Sequence, residues 1–561
     1  MPCHQPGENM YTRSRVRLSA GVLALVAGLA GCSGATGNSV EVGDGAGPPK
    51  AGGTLTFATD KEPDCYDPHV SPADITAVVL RNVFDSLVSQ EPDGTYRPWL
   101  ATAWTLSPDG TTYTFELRTD VKFTDGTPFD ADAVKANLDH IAAPGTKSQF
   151  AASLMGPYES TTVVDPRTVR VKLTRPFAPF LHAVATTYLG MHSPRSLQVR
   201  AADLCAGGPG TVGTGPFRFA AHVRGRQDEF VRNPDYAWAP QSAAHPGPAH
   251  LDKLVIRYLP TGSVRVGALR SGQVDAIDNV PAQNVAAIEA DRRLRTSTAD
   301  LPGLGYTYFL NTERPPFDDR RARLAVRAAV DFGPLLKAVF FGRAAPAFSV
   351  LGPSTTGYDR ALEGSWGHDE ATANRLLDEL GWTGRDADGY RTKDGRTFNI
   401  DLPFVPEYTV TDRRTLDVGV QADLKKVGIR LNLVQSTAND YLPRRNAGGY
   451  DLIGFSWGGS EPDLLRTLFD SEQQFAQGGT NAARLRDSQL DGWLREAAER
   501  TDPAQRAALY TNVQARIADQ AYALPTYVGR RVVSTTGAVR GLAFDANAWP
   551  LFRDVWLNGR G

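Results

Sequence analysis

Gly454-Phe455-Ser456-Trp457-Gly458 fits G-x-S-x-G, and the apolar Leu452-Ile453 ahead of it is where the strand of a nucleophile elbow would run. That hydrolase arrangement needs a His downstream of the serine, yet all nine His stand at or before His368. The order speaks against the elbow, and Pro462 removes a backbone amide from the place where a helix start would build the oxyanion hole. A serine hydrolase using Ser456 therefore stays only as a rival reading, one that demands ester turnover lost on Ser456→Ala. His245 and His250 sit five apart in a Pro/Gly-rich stretch, with no H-E-x-x-H and no C-x-x-C in the chain, so a solvated loop is expected and no metal centre. Gly210 to Gly215 reads G-T-V-G-T-G, which is neither the dinucleotide nor the phosphate-loop pattern and predicts a turn. No catalytic set and no cofactor are expected.

The elements that would position these residues alternate between strand and helix periodicity. Leu55 and Phe57, Tyr113-Phe115-Leu117 and Val169-Val171-Leu173 keep the period of two of half-buried strands. Phe217 and Phe219 lead through a turn containing Gly225 to Phe230, which predicts a hairpin. Asp369 caps a helix whose apolar face is Ala373, Leu376, Leu377 and Leu380, with Gly381 as its stop. Leu416, Val420, Leu424 and Val427 form a second stripe that ends at Gly428 and feeds the strand Ile429-Leu431-Leu433. Asp502-Pro503-Ala504-Gln505 supplies a cap, a first-turn Pro and a capping-box partner for a third helix through Leu509, Val513 and Ile517. Helix followed by strand is α/β organisation, and no repeat period interrupts it.

The chain has 561 residues, 60 Lys+Arg against 62 Asp+Glu, and is 41% hydrophobic, which excludes collagen-like, coiled-coil and wholly disordered classes. A net charge of −2 removes nucleic acid as a partner, because phosphate neutralisation needs clustered cations in excess. The densest basic stretch, Asp318 to Arg327, opens with acids and is read as a solvated helix face. Residues 1–31 read as a secretion signal: Arg13, Arg15 and Arg17 precede an uncharged apolar run too short to span a membrane. That run ends in Leu29-Ala30-Gly31-Cys32, which resembles the bacterial lipobox, so Cys32 is expected to carry lipid and tether the body to the outer membrane face. Residues 32–51, rich in Gly, Ser and Pro, are the expected flexible linker. Cys65 and Cys205 remain in an oxidising compartment, either as a disulfide or as two separate thiols.

Beyond these features, a series of segments resembles the extracytoplasmic solute-binding proteins of dipeptide and oligopeptide ABC importers, the bacterial family 5 lipoproteins. They include G-G-T-L-T-F-A-T-D (Gly52 to Asp60), D-P-H (Asp67 to His69), N-V-F-D-S-L-V (Asn82 to Val88) and V-K-F-T-D-G-T-P-F-D-A-D-A-V (Val121 to Val134). L-N-T-E-R-P-P-F-D-D-R-R-A-R (Leu310 to Arg323) and Y-D-L-I-G-F-S-W (Tyr450 to Trp457) continue the order. The resemblance implies a two-lobed α/β fold of the periplasmic-binding-protein class II type with an extra third domain. It allots 52–80, 191–300 and 520–561 to lobe I, 81–190 to the extra domain and 301–519 to lobe II. It implies a monomer, lipid-anchored on the extracytoplasmic face, that captures a peptide or small-molecule ligand in the interlobe cleft and passes it unchanged to membrane permease subunits.

In relatives that bind a free α-amino group, an Asp four positions before the Pro of the second-lobe loop meets the ammonium, and the matching residue here is Gly458. Glu461 or Asp463 can then supply the charge, or the ligand lacks a free amine, as a blocked peptide, a sugar or a metal chelate does. The expected ligand-binding set is Trp457, Gly458, Gly459, Ser460, Glu461, Asp463, Tyr66, Phe309, Asn311, Tyr408 and Arg413. Trp457 stands between a cleft wall and core packing, Tyr66 sits at the mouth of the first lobe, and Tyr408, Arg413 and Arg414 lie where a ligand carboxylate would be met.

Overall fold

In the computed structural model, residues 47–199 and 201–559 are described; the expected signal segment and Cys32 lie outside them. The chain is mixed α/β. A seven-stranded sheet runs in the order Leu294–Asp300, Arg530–Thr536, Ala276–Ile277, Thr54–Thr59, Lys253–Tyr258, Gln227–Arg232, Phe217–Val223. Thr54–Thr59 pairs in parallel with both of its neighbours, while the outer pairs are antiparallel. The last two strands in that order are the hairpin that the phenylalanines and Gly225 predict, and Leu55, Phe57, Phe217 and Phe230 are buried in one cluster on this sheet. Cys65 and Cys205 form a disulfide that closes a sequence separation of 140, so of the two open alternatives the bridged one holds.

Between strands of that sheet the chain builds a four-stranded antiparallel sheet, in the order Ala101–Leu106, Thr112–Leu117, Thr168–Leu173, Tyr158–Asp165. Helix Ala131–Ala142 covers it, capped by Asp130, whose side chain accepts from Ala133 N at 2.9 Å. Phe115, Val169, Val171, Val134 and Leu138 fill the space between.

A third body holds the antiparallel sheet Leu452–Gly458, Gly303–Leu310, Ala523–Tyr527 and the parallel pair Asn399–Phe404 with Arg430–Gln435. Strand Ala523–Tyr527 begins just after the expected boundary at 520. It completes this sheet, and only after Val528-Gly529 does the chain return to the seven-stranded one. The opposite crossing is made at Leu301-Pro302, and Leu301 N donates to Gly529 O at 2.8 Å, so the two crossings lie side by side. The capped helices form as expected, with Asp369 accepting from Thr372 N and Asp502 from Gln505 N.

The basic stretch is solvated only in part: Asp318, Arg320 and Arg321 are exposed, whereas Arg323 and Arg327 turn inward. Within helix Arg320–Ala329, Arg323 is buried and donates to Gln520 O and Phe317 O, and Arg327 donates to Ala518 O. Both guanidiniums thus satisfy carbonyls at the C-terminal end of helix Pro503–Gln520, where the helix dipole favours a cation.

Candidate functional site

The crossings open onto a cavity of about 1150 Å³ walled by all three bodies. The seven-stranded body supplies Asp60, Lys61 and Arg531, the four-stranded region supplies Phe150 and Tyr188, and the third body supplies Arg413 and the end of strand Leu452–Gly458. A side pocket of about 300 Å³ continues into the third body and shares Tyr306, Arg413, Ser456 and Trp457 with the main cavity. Its walls combine the aromatics Tyr408, Phe404, Tyr441 and Phe475 with the charged Asp417 and Arg445. Such a mix suits an organic ligand held by few polar contacts.

Which charges face this space is decided by which are already used. Arg531 pairs with Asp278 at 2.6 Å and Arg530 with Asp300 at 2.9 Å. Arg265 donates to the carbonyls of Leu259, Pro260, Asp278 and Asn279, so its fork serves the loops. Arg413 is different: one Nη donates to Ser456 Oγ at 2.7 Å, the guanidinium lies 4.8 Å from the centre of the Tyr306 ring, and Nε is buried with no partner among the described residues. It is a cation with donor capacity left over.

On the anionic side stands Asp74, the first residue of helix Asp74–Leu80. Its Oδ1 accepts from Tyr188 OH at 3.0 Å, and a Cβ built on Gly458 would lie 3.5 Å from its Oδ2. Protein surrounds the carboxylate closely enough to push its pKa up by desolvation, although its edge is open to the cavity. Gly458 and Asp74 therefore face each other across the gap. A carboxylate at 458 would meet a like charge, and the glycine leaves the space that Asp74 fills.

Of the residues expected from sequence, Trp457, Gly458, Gly459 and Arg413 line the main cavity, and Tyr408 lines the side pocket. Ser460 stands behind them: its N donates to Asn547 Oδ1 at 3.2 Å and its Oγ to Gln90 Oε1 at 2.7 Å. Glu461 and Asp463 are buried and spent, which corrects their reading as spare anions. Glu461 is clamped by both Nη atoms of Arg506, and Asp463 by Arg466 at 2.6 Å. Burial raises the Glu461 pKa, but the Arg506 charge outweighs it and holds the carboxyl below its usual range, whereas burial prevails at Asp463.

Three further residues fall in cores. Tyr66 is 2% exposed and donates to Asp228 at 2.8 Å behind the hairpin. Phe309 stacks on Phe455 at 4.5 Å between ring centres, and Asn311 ties down Gly448 O and Tyr450 O. Their strand or turn faces inward, which a lone aromatic or amide in a sequence does not reveal. Ser456 lies inside a continuous strand with Arg413 as its partner, not on a strand-to-helix turn. Asp74 escaped sequence reading because an acid at the first turn of an apolar helix reads as a helix-start residue.

Residues 95–475 match the family of bacterial extracellular solute-binding proteins, family 5 Middle. The chain is 27% identical over 474 residues to the glutathione-binding protein GsiB of Shigella dysenteriae, covering 83% of this chain and 87% of that protein. It is 28% identical over 506 residues to heme-binding protein A of Haemophilus influenzae, with 86% and 88% covered. Among solved structures it superposes on NikA from Brucella suis in complex with Fe(III)-EDTA at a TM-score of 0.79, 26% identical, covering 90% of this chain and 100% of that one. DppA from Helicobacter pylori in complex with peptide STSA gives 0.73 at 25% identity, with 91% and 98% covered. The chain belongs to the family 5 extracellular solute-binding proteins of ABC importers and has their two-lobed α/β fold with an extra domain.

Proposed function

We propose that this chain is the lipid-anchored, extracytoplasmic binding component of an importer for a zwitterionic, peptide-like solute. The observation that carries the reading is the pair of charges flanking Trp457: Asp74 opposite Gly458, and Arg413 on Ser456. An α-ammonium meets Asp74, a carboxylate meets Arg413, and apolar side chains pack on Trp457 and into the side pocket. Asp74 thereby takes the role of the missing second-lobe acid. The similarity to proteins named or solved for glutathione and for a peptide supports the same class. Lobe I is 52–80, 191–300 and the segment after Tyr527, the extra domain is 81–190, and lobe II runs from 301 to Tyr527; closure turns on the paired crossings. Lipid on Cys32 keeps the body beside its permease, and one chain binds one solute.

Calorimetry with short peptides, glutathione, haem and iron or nickel chelates, each peptide also in N-acetylated form, tests this. Free peptides bind and their acetylated forms do not; Asp74→Asn weakens the free peptide by about 1.5–3 kcal/mol, roughly 10- to 150-fold, the worth of one charge-assisted hydrogen bond. Equal binding of acetylated and free peptides, or a chelate as the sole ligand, overturns the zwitterion reading.

A further inference from the structure

Away from the cleft, the segment that follows the disulfide cysteine carries Asp67 and His69 into a buried cluster with His192. All three are 0% exposed, and one ligand atom from each lies within 4.8 Å of the others. His192 Nε2 stands 3.3 Å from Asp67 Oδ1, and His69 Nδ1 stands 3.0 Å from Nδ1 of His140 on helix Ala131–Ala142. Corners of a tetrahedron with metal–ligand bonds of about 2.0–2.1 Å are about 3.3–3.4 Å apart, so the His192–Asp67 separation is that of neighbours in one zinc coordination shell, while the His69–His140 contact is a hydrogen bond.

The hydrogen bonds of the cluster leave it incomplete. Both ring nitrogens of His192 and Asp67 Oδ2 are shut off from solvent and have no hydrogen-bond partner among the described residues; the 3.3 Å approach of His192 to Asp67 lacks donor geometry. A buried polar atom left unpaired is costly, and a cation among these atoms would satisfy Asp67 Oδ2 and a His192 nitrogen together. The groups that are paired are paired as a metal site requires. His69 Nε2 bonds Gly190 O at 2.9 Å, which places its proton there and leaves the Nδ1 lone pair to accept from His140 Nδ1–H at 3.0 Å, a bond that an entering ion would replace. His69 N donates to Asp67 Oδ1 at 2.9 Å and orients the carboxylate. The other histidine pair, His245 and His250, shares its surroundings with the Arg553 guanidinium and its partner Asp554, so a cation is already in place there.

We propose that Asp67, His69 and His192 bind one Zn²⁺ and that His140, which stands outside this trio and is hydrogen-bonded to His69 Nδ1, turns in as the fourth ligand when the ion enters, clamping the segment after Cys65 to the helix of the extra domain. Three imidazoles and a carboxylate suit zinc among the first-row divalent ions, and a closed set of four protein ligands makes the ion structural rather than catalytic. Half-buried His140 is the side from which the ion enters.

The full chain, purified without a polyhistidine tag and stripped with chelator, is loaded with Zn²⁺, desalted and analysed for metal; Co²⁺ loading gives the spectrum. One Zn²⁺ per chain is retained by the parent, by His250→Gln and by Asp74→Asn, and Co²⁺ gives the strong visible bands of a tetrahedral site. His192→Gln loses the ion, and so does His140→Gln, whose half-buried position lets the fold survive. A parent chain that keeps no Zn²⁺ after desalting, or a folded His140→Gln that keeps as much as the parent, overturns the assignment. Retention in Asp74→Asn separates this outcome from that of the cleft.

Discussion

Glu461 was a natural choice for a ligand contact, and the structure makes it a prop instead, so Glu461→Gln separates the two roles. Its carboxylate accepts from both Arg506 Nη atoms and, at 3.1 Å, from Asp463 N, while Arg506 also donates to Ala497 O and Tyr510 OH. Removing one member of a buried ion pair costs about 3–5 kcal/mol because the other charge is left without its counter-ion. Asp463 also acts on Arg506, so the lower end, about 3 kcal/mol, is expected. At about 2.1 cal/mol/K per residue, a chain of roughly 500 residues unfolding as one unit would lose about 3 °C in Tm. Because the folded carboxyl sits below its usual pKa, its contribution is present above the unfolded value and lost as pH falls through the folded one. The gap between parent and variant therefore closes in acid. Urea unfolding at pH 7 and pH 4, beside calorimetry with the bound solute, checks each part. A variant with parental stability but weakened solute binding refutes the reasoning and returns Glu461 to the cleft.

Three more outcomes are expected. Cys65→Ser with Cys205→Ser removes a cross-link over a separation of 140, worth about 5 kcal/mol of loop entropy, and reductant lowers the Tm of the parent but not of the double variant. Asp417, buried beneath the side pocket and hydrogen-bonded by Tyr308 OH at 2.6 Å, has its pKa raised from 3.8 to about 6 by desolvation. The folded state then holds the extra proton between those values, so this group's contribution to stability falls by up to about 3 kcal/mol as pH rises through them. Asp417→Asn thus compares more favourably with the parent at pH 7.5 than at pH 4 in urea unfolding, and an equal difference at both would exclude this coupling. Trp457→Ala weakens the bound solute by more than about 1 kcal/mol and leaves the Tm of the empty protein nearly unchanged, because Trp457 is only half-buried at the cavity wall; unchanged affinity removes it from the site.

Local signals carried the fold a long way. Asp369 and Asp502 cap the helices that their spacing predicts, and the alternating phenylalanines before Gly225 pair as a hairpin. The cavity wall coincides with the sequence reading where backbone freedom and an aromatic meet, at Trp457-Gly458-Gly459. What sequence did not yield is the fate of charges, because each is fixed by a partner from a distant segment. Arg323 finds Gln520 O, Glu461 finds Arg506, and Asp74 comes to face Gly458. The pairing of strand Ala523–Tyr527 was not legible for the same reason: its partner, Gly303–Leu310, lies far away along the chain.

If Asp74 is the ligand-facing acid, as proposed, in place of one on the second-lobe strand, that changes what binding does. With the acid at position 458, both ends of a zwitterion would be held by the second lobe, and little of the binding energy would depend on closure. With Asp74 in the proposed first lobe and Arg413 on helix Thr411–Lys426 of the proposed second, the two ends would be met from opposite sides. An open protein offers such a solute one charged contact and a closed one offers two. The second, worth about 1.5–3 kcal/mol, accrues only on closing. On that reading a zwitterion would favour the closed state by roughly 10- to 150-fold more than a ligand carrying one of its charges.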